Sequence, residues 1–443
     1  MDEPRRLSGG ASRETWSFEA SAADGSRRRL ILQRQTRLSD RAQLPIRVQA
    51  QLLRAAKRGG VPVADVVVSS DDVDEEDLGP DFCITEFVDG ETIPQKILRS
   101  NEFAAARESA VNRAASALAR IHSIPVTDVP YLEEADQLAV YRDVYDGLGR
   151  PHPAFEIALR WLEANRSTSS RSAVVHGDFR NGNFIMGPDG LRAVIDWELA
   201  HIGDPMEDLG WLCVKSWRFG HREPVGGFGS YDELFDAYER ESKTDIDRSS
   251  ARWWEVLGTF KWGVICILQA NKHLSGAERS VELAAIGRRV CEVEHDLLLL
   301  LAPDALASAI EKTPVESHIP KAAGRPPHDA PSSVELLEAV EGFLRTDVLS
   351  NTQGKLQFHA RVAANVAGIV QRELALGELL TEAHARRLER VGVPDERALA
   401  LSIRSEEVEV DDRYEEIVSA VAETIRDKLL VANPKYLGPR PES

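Results

Sequence analysis

Three polar side chains form the strongest chemical pattern in the sequence. Asp178 and Asn183 lie five positions apart in the run His-Gly-Asp-Phe-Arg-Asn-Gly-Asn, and Asp196 follows in Ile-Asp-Trp-Glu. This pattern is what phosphoryl transfer from ATP requires. The Asp178 carboxylate would accept the proton of an attacking hydroxyl, while the oxygens of Asn183 and Asp196 are hard ligands that suit Mg²⁺.

The surroundings of these residues decide how the pattern is interpreted. An Asp-x4-Asn pair alone carries little information, because turns are rich in both residue types. Here two short apolar segments, 173–175 and 193–195, have the composition of strands, and a polar cluster directly follows each of them. A hairpin-like run joins the two clusters. This context favours a catalytic site over an ordinary turn.

A further motif gives the pattern a family resemblance. Gly203-Asp204-Pro205-x-x-Asp208-Leu209 follows shortly after the second cluster. Together with His-Gly-Asp-x4-Asn and Ile-Asp-Trp-Glu, it resembles the aminoglycoside phosphotransferase and choline kinase-like superfamily. The run 200–211 and then Trp217-Arg218-Phe219 are similar to the phosphotransferase domain fused to some acyl-CoA dehydrogenases. The resemblance covers roughly residues 5–302.

The resemblance implies a role for each matched residue. Asp178 matches the family's catalytic base, and Asn183 and Asp196 match its metal ligands. His176 and Asp208 match residues that brace the catalytic loop by hydrogen bonds. The implied cofactors are ATP and Mg²⁺, with ATP held between a small β-rich lobe and a larger helical lobe.

The nucleotide-binding residues are expected in the N-terminal lobe. Gly9, Gly10 and Ser12 lie in a segment that resembles the family's nucleotide-covering loop. Glycines there permit close approach of backbone N–H groups to phosphate. The end of the lobe resembles the family's linker between lobes. In that linker the main chain of Glu86 and Val88 would hydrogen-bond the adenine edge.

One departure from the family pattern concerns the phosphate-contacting cation. The family normally carries a Lys or Arg on the third strand, paired with a helix Glu, and these positions hold Gln33 and Gln49 here. Arg34 is adjacent and would reach the phosphates after a register shift of one residue, although such a shift moves a strand side chain to the opposite face. Loss of one charged partner alone would leave an unpaired buried charge. The double change therefore favours an adapted site over a damaged one.

The acceptor pocket is less well defined by the sequence. Arg180, two residues after the predicted base, is a candidate to meet an anionic acceptor. The resemblance implies hydroxyacyl-CoA-type substrates, because relatives in this branch act on them. An aminoglycoside or macrolide is the alternative, and Arg180 and Arg218 count against a polycationic drug. Five tryptophans either line a pocket or belong to the core: Trp211, Trp217, Trp253, Trp254 and Trp262.

The elements that must position these residues are predicted from hydrophobic periodicity. Asp24-Gly25 between two strand-like runs indicates a hairpin. From about residue 94 the pattern is helical, apart from the two short strands that precede the polar clusters. In the first part of the chain, strands are predicted at 16–20, 29–32, 61–68 and 82–88, and a helix at 43–58.

Strands first and helices second are typical of an α+β protein with two lobes. The resemblance implies that this is a two-lobed protein-kinase-like fold. The predicted domains are a β-rich nucleotide lobe at 1–90, a helical lobe with the catalytic and metal loops at 91–312, a proline-rich linker at 313–331 and an all-α domain at 332–443. The last resembles a domain of unknown function, and its helices are predicted at 334–344, 357–376, 379–391, 396–402 and 413–430. It offers a surface for a homodimer or a protein partner.

Composition limits the remaining possibilities. The 443 residues carry a formal net charge of −18, which argues against nucleic acid as the main partner. Four widely spaced cysteines lack metal-ligand spacing and are predicted to be reduced and buried. No apolar run approaches the roughly 20 residues of a membrane span, and the N-terminus lacks the apolar core of a signal peptide. These features predict a cytoplasmic protein.

Three functions remain open at this stage. The first is an enzyme, an ATP- and Mg²⁺-dependent O-phosphotransferase that acts on a small-molecule hydroxyl. The second is an aminoglycoside or macrolide resistance phosphotransferase. The third is a nucleotide-binding pseudokinase that presents the helical domain to a partner. The neutral pair Gln33 and Gln49 favours the third function, whereas the intact set Asp178, Asn183 and Asp196 disfavours it.

Overall fold

Contacts divide the chain into two compact units. One unit holds Met1–Gln137 and Arg166–Gly258, and the other holds Leu138–Asn165 and Thr259–Ser443. The computed structural model of the protein describes residues 4–7, 13–21, 24–35, 44–73, 81–166, 171–312, 329–405 and 412–438.

A five-stranded antiparallel sheet begins the first unit. Its strands are β1 (Arg5–Leu7), β2 (Arg13–Ser21), β3 (Arg27–Gln35), β4 (Val66–Ser69) and β5 (Phe82–Glu86), in the spatial order β1-β2-β3-β5-β4. Trp16 pairs with Leu32 in the β2–β3 hairpin, which confirms the predicted hairpin. Strand β4 is shorter than predicted, because residues 61–65 form no strand.

The helices account for most of the remaining chain. Short 3-10 helices lie at Asn101–Phe103, Val126–Asp128, Lys215–Arg218 and Pro434–Leu437, and a π-helical turn lies at Leu344–Val348. The α-helices are α1 (Ile46–Arg58), α2 (Pro94–Arg99), α3 (Ala104–Ile121), α4 (Gln137–Leu148), α5 (Pro153–Ala164), α6 (Met206–Cys213), α7 (Tyr231–Ser242), α8 (Arg248–Leu274), α9 (Val281–Gly287), α10 (Val290–Leu301), α11 (Pro303–Glu311), α12 (Ser333–Phe343), α13 (Leu349–Asn351), α14 (Gly354–Arg390), α15 (Glu396–Arg404) and α16 (Asp412–Ala432).

Helix α1 covers one face of the sheet. Its buried residues Ile46 and Ala50 pack with Cys83 of β5. The helix ends at Gly59, and Gly60 follows with a positive φ of 75°. The predicted helix at 43–58 is thereby confirmed for its described part.

Four short strands carry the central polar motifs of the first unit. They are β6 (Ala173–Val175), β7 (Phe184–Gly187), β8 (Gly190–Val194) and β9 (His201–Gly203). Strand β6 pairs with β9, and β7 pairs with β8 as a hairpin. Phe179 and Trp197, which follow β6 and β8, are fully buried and anchor the two polar segments in the core.

The second unit is helical and joins distant parts of the sequence. Leu298 of α10, Leu388 of α14 and Leu429 of α16 belong to one buried cluster. Arg404 of α15 donates two hydrogen bonds to Glu156 of α5, at 2.9 and 2.8 Å. The helices after residue 332 therefore share a compact unit with segments from 138–165 and 259–312. The domain bounds drawn from the sequence stay predictions, and residues 313–328 of the predicted linker lie outside the described residues.

One helix of the second unit is longer than its sequence pattern predicts. The sequence pattern predicts two helices, at 357–376 and 379–391, but α14 continues without a break from Gly354 to Arg390. Gly377 is the only break signal between the runs, and a helical glycine costs only about 1 kcal/mol relative to alanine.

None of the helices in the described ranges is long and apolar enough to span a membrane.

Candidate active site

The predicted catalytic residues lie on the loop after β6 and at the open end of the β7–β8 hairpin. Asn183 directly precedes β7, and its carbonyl accepts a hydrogen bond from the N–H of Ile195 at 2.9 Å. Asp196 is therefore one residue beyond a direct cross-strand contact with Asn183. Asp178 and Asn183 lie on the same loop, between β6 and β7. Because the hairpin brings Asp196 next to Asn183, all three residues lie at the open end of the hairpin.

The carboxylate of Asp178 accepts three side-chain hydrogen bonds. Asn183 Nδ2 donates to Oδ2 at 2.6 Å, while Trp211 Nε1 and Arg180 Nε donate to Oδ1 at 2.8 and 2.9 Å. The Asp178 side chain keeps 13% of its surface exposed. These contacts fix the orientation of the carboxylate and leave it open to an incoming group.

The amide of Asn183 has a defined orientation. Its Nδ2 donates to both the carboxylate and the main-chain carbonyl of Asp178, at 2.6 and 2.9 Å. Both partners are acceptors, so the nitrogen must point toward Asp178. The amide oxygen is thereby turned away from Asp178, where it is able to act as a ligand.

Asp196 has an unusual backbone conformation. Its φ is +67°, a left-handed value that non-glycine residues seldom adopt, and its side chain is exposed. Such conformations concentrate at functional sites, because the surrounding structure must hold them in place.

A buried network holds the backbone that precedes Asp178. The two oxygens of Asp208 accept hydrogen bonds from the N–H groups of His176 and Gly177, at 2.8 and 2.9 Å. His122 Nε2 lies 3.1 Å from the same carboxylate, and His122 Nδ1 lies 2.8 Å from the hydroxyl of Tyr238. These contacts are the brace that the resemblance implied for Asp208.

The electrostatics of this brace follow from burial and hydrogen bonding. Burial alone would raise the pKa of Asp208, but the hydrogen bond and charge of His122 outweigh it, and the pKa lies below its ordinary value. Burial lowers the pKa of His176, which keeps this imidazole neutral. Its Nδ1 accepts the N–H of Asp178 at 3.2 Å. The network therefore joins the ionised carboxylate of Asp208 to the neutral imidazole of His176.

Gly177 is required by the close approach of two chain segments. Its φ is +78°, and a Cβ at this position would lie 2.4 Å from the carbonyl oxygen of Leu199. Any larger residue would push the loop after β6 away from the segment between β8 and β9. The close approach of these two segments thus explains why the His-Gly-Asp motif has a glycine at position 177.

In the five-stranded sheet, Arg34, the predicted phosphate-contacting cation, already has a partner. Arg34 forms an ion pair with Glu14 on the neighbouring strand, with both N–O distances at 2.7 Å. Gln33 directly precedes Arg34 on β3, so its side chain lies on the opposite face of the sheet. Gln33 is in register with Cys83 of β5. Buried Gln49 donates from Nε2 to the carbonyl of Leu44 at 2.7 Å.

The remaining predicted nucleotide residues lie at the end of β5 and near the N-terminus. The N–H of Glu86 donates to the carbonyl of Asp65 at 2.9 Å, so its carbonyl oxygen is the atom left for the predicted adenine contact. Val88 is half-buried in the extended segment that follows. Gly9, Gly10 and Ser12 lie outside the described residues.

The tryptophans do not form a single pocket. Trp211 and Trp217 lie at the catalytic loop, with ring centres 5.2 Å apart. Trp254 instead donates to Asp204 at 3.1 Å, and Trp262 belongs to the second unit, near Arg289.

Sequence reasoning did not foresee the contact between Trp211 and Asp178. A usable signal is the i, i+3 spacing between Asp208 and Trp211 on α6, which places both residues on the same helix face. A helix that presents Asp208 to the catalytic loop therefore presents Trp211 to it as well.

Comparison with known proteins assigns the family. The model of the phosphotransferase enzyme family matches residues 3–254. The chain belongs to this family. A second model, that of a domain of unknown function (DUF6285), matches residues 350–436. Both matches confirm the resemblances inferred from the sequence motifs.

Two mouse proteins are similar to part of the chain. Acyl-CoA dehydrogenase family member 10 of Mus musculus is 28% identical over 174 residues, which cover 37% of this chain and 16% of that protein. Family member 11 of Mus musculus is 30% identical over 249 residues, which cover 50% of this chain and 31% of that protein. The chain thus matches less than a third of the length of these relatives.

A solved structure supports the fold. A protein of Ralstonia eutropha assigned as an aminoglycoside phosphotransferase superposes with a TM-score of 0.53 and 18% identity, covering 67% of this chain and 92% of its own. This likeness confirms the predicted α+β kinase-like fold.

Proposed function

We propose that the protein transfers the terminal phosphoryl group of ATP to a hydroxyl group of a small molecule, with Mg²⁺ as the metal. Family membership supports phosphotransfer. The observation that carries the finer proposal is the carboxylate of Asp178, which three side-chain donors hold in a partly open position. A fixed, accessible carboxylate next to a possible cation site is the arrangement of a phosphotransferase base.

In the proposed step the acceptor oxygen forms a bond to the terminal phosphorus of ATP. The bond between that phosphorus and the β,γ-bridging oxygen breaks, and its electron pair leaves with ADP. The proton of the acceptor hydroxyl passes to the Asp178 carboxylate and then to solvent. Because the transition state is loose, positioning and charge neutralisation contribute more than proton removal.

The residues present fit a magnesium ion bound together with a nucleotide. Asn183 offers an amide oxygen whose orientation is fixed by the two bonds of Nδ2, and Asp196 offers an exposed carboxylate. Mg²⁺ commonly binds one or two protein oxygens and completes its shell with substrate phosphates and water. When bound, the ion would neutralise phosphate charge.

For the acceptor, we propose an anionic metabolite such as a hydroxyacyl-CoA. The two mouse relatives are named acyl-CoA dehydrogenase family members, and the positive charge of Arg180 beside the predicted base disfavours a polycationic acceptor. Arg218 is less available to an acceptor than its position in the sequence suggested. Its guanidinium is used internally by the carbonyl of Cys213, the hydroxyl of Tyr231 and the carboxylate of Glu255.

The test is phosphoryl transfer from radiolabelled ATP to a panel of hydroxyacyl-CoAs and aminoglycosides. Transfer to a hydroxyacyl-CoA that disappears in Asp178→Ala supports the proposal. The matched control is Asp189→Ala, since Asp189 is an exposed carboxylate on the β7–β8 turn that pairs with Arg192. Transfer to aminoglycosides alone would favour the resistance function, and unchanged turnover in Asp178→Ala would refute the assigned base.

A further inference from the structure

Arg180 presents unused hydrogen-bond donors beside the predicted base. Its Nε donates to Asp178 Oδ1 at 2.9 Å, and its guanidinium carbon lies 4.4 Å from the ring centre of Trp217. Among the described residues, its terminal nitrogens have no hydrogen-bond partner, so four N–H groups remain for a ligand. The side chain is 23% exposed, which means that an incoming anion is able to reach it.

Other positions where a phosphate-contacting cation was expected do not supply a free one. Gln33 and Gln49 are neutral. Arg34 directs both Nε and a terminal nitrogen to Glu14 across the β2–β3 ladder, whereas Arg180 bonds to Asp178 through Nε alone. A nucleotide triphosphate nevertheless brings several negative charges to a site that contains Asp178 and Asp196. Arg180 places a positive charge directly beside the predicted base, with its Nε 2.9 Å from the Asp178 carboxylate.

We propose that Arg180 is a further catalytic residue, which binds a non-bridging oxygen of the terminal phosphoryl group both in the bound nucleotide and during transfer. The inference rests on the proposed function. It means that this chain carries its phosphate-neutralising cation two residues after the base, in place of the usual cation on the third strand.

The geometry suits this role for three reasons. The base must contact the hydroxyl that attacks phosphorus, so a side chain bonded to the base carboxylate lies within reach of the phosphoryl oxygens. A guanidinium offers paired N–H groups that match two phosphate oxygens. Its contacts with Asp178 and Trp217 restrict the side chain before the nucleotide binds, which lowers the entropic cost of ordering it.

The chemistry of the step favours the phosphoryl group over the acceptor as the partner of Arg180. In a loose transition state, negative charge spreads over the three equatorial oxygens of the transferred group. An arginine placed there within the same chain stabilises that charge directly. An anionic group on the acceptor, by contrast, keeps the same charge throughout the reaction, so binding it would lower KM without raising kcat.

The experiment compares the affinities of Mg²⁺-ADP and Mg²⁺-AMP-PNP by calorimetry, because only AMP-PNP carries the terminal phosphoryl group. In Arg180→Gln, which retains a donor for Asp178 but no charge, AMP-PNP affinity should fall about tenfold, the equivalent of one charge-assisted hydrogen bond. ADP affinity should remain within about twofold, since ADP does not reach Arg180. Arg180→Lys, which keeps the charge without the planar fork, should lie between Arg180→Gln and the wild type.

The control is Arg240→Ala, an exposed arginine of α7 that bonds to Asn112 and should alter neither affinity. An unchanged ratio of AMP-PNP to ADP affinity in Arg180→Gln, with the wild type binding both, would overturn the inference alone. Failure of the wild type to bind either nucleotide would overturn the proposed function, and the inference with it. Thermal unfolding of each variant shows that the comparison is made on folded protein.

Discussion

Asp208 and Asp427 are buried carboxylates in different units, and they stabilise different kinds of structure. Asp208 accepts the main-chain N–H groups of His176 and Gly177, so its charge orders the loop that leads to Asp178. Asp427 accepts instead from the guanidinium of Arg387 at 2.6 Å and from that of Arg426 at 2.9 and 2.7 Å. Its charge joins side chains of α14 and α16.

The difference shows that burial of a charge does not by itself mark a functional site. Asp427 lies between two cations, Arg387 and Arg426. Because Arg426 also donates to the carbonyl of Ala309 on α11 at 3.1 Å, these contacts stabilise the packing of helices. Asp208 instead positions backbone next to a carboxylate that remains partly exposed. The two regions therefore differ in what the buried carboxylate holds in place: a loop backbone for Asp208 and packed helices for Asp427.

Removal of Asp208 should have the largest effect, because it acts on both stability and activity. Asp208→Ala leaves two buried N–H groups and His122 without their acceptor, which should lower the free energy of unfolding by about 3–5 kcal/mol. Phosphoryl transfer should be lost even at temperatures where the variant remains folded. Urea unfolding and a transfer assay on the same preparation test this, and normal turnover in folded Asp208→Ala would contradict the role of the brace.

Asp427→Ala should affect stability alone. It leaves Arg387 and Arg426 without their carboxylate partner, although Arg426 keeps the carbonyl of Ala309, so the cost should be near the lower end of the range for buried pairs, about 3 kcal/mol. The lower end is expected because the Arg387 and Arg426 side chains are 7% and 10% exposed and partly reach water. Nucleotide affinity per folded molecule should stay unchanged.

A triple substitution tests whether unpaired charges cause this loss of stability. Simultaneous replacement of Arg387, Asp427 and Arg426 by Met, Leu and Met should destabilise less than Asp427→Ala, because no charge is left unpaired. Chemical denaturation of both variants provides the comparison. A triple variant less stable than Asp427→Ala would show that the ion pairs themselves stabilise the second unit.

Gly177→Ala tests the close contact in the catalytic loop, with a smaller expected effect. The left-handed φ should cost about 1 kcal/mol, and the contact with the carbonyl of Leu199 should add about 1–2 kcal/mol. Gly149→Ala is the matched control, since Gly149 has φ +65° but nothing within 4 Å of its Cβ position. Equal destabilisation of the two variants in urea would show that the contact with Leu199 carries no cost.

The smallest effect concerns pH. Because burial lowers the pKa of His176, the unfolded chain binds more protons than the folded one just below pH 6.5. Stability should therefore be fully present above pH 6.5 and fall as pH decreases, by at most about 1.4 kcal/mol per pH unit for one proton. His176→Gln should flatten this slope in urea unfolding between pH 7 and 5.5. An equally steep slope in the variant would assign it to other groups.

The parts of the molecule that follow from local pattern were predictable from the sequence. The β2–β3 hairpin, the strands before Asp178 and Asp196, and the family all came from short motifs with defined spacing. The hydrogen bonds of Asp208 to the loop came from the resemblance, not from the pattern alone.

The unpredicted features depend on contacts between distant segments. The pairing of Arg34 with Glu14 depends on strand register, which periodicity does not reveal. The union of α5 with the helices after residue 332 depends on partly buried pairs such as Arg404 and Glu156, 248 positions apart. The continuity of α14 shows that one glycine is a weak break signal when both flanking runs favour a helix.

Asp178, Asn183 and Asp196 are proposed to form a metal-dependent nucleotide site. The direct test is a thermal-shift titration of ATP with and without Mg²⁺ on the wild type, Asp196→Ala and the control Asp189→Ala. A ligand at one hundred times its Kd adds about 2.7 kcal/mol of stability. We expect a Mg²⁺-dependent rise in Tm for the wild type and Asp189→Ala that is absent in Asp196→Ala. No shift at millimolar ATP in the wild type, or an equal shift in Asp196→Ala, would contradict the claim.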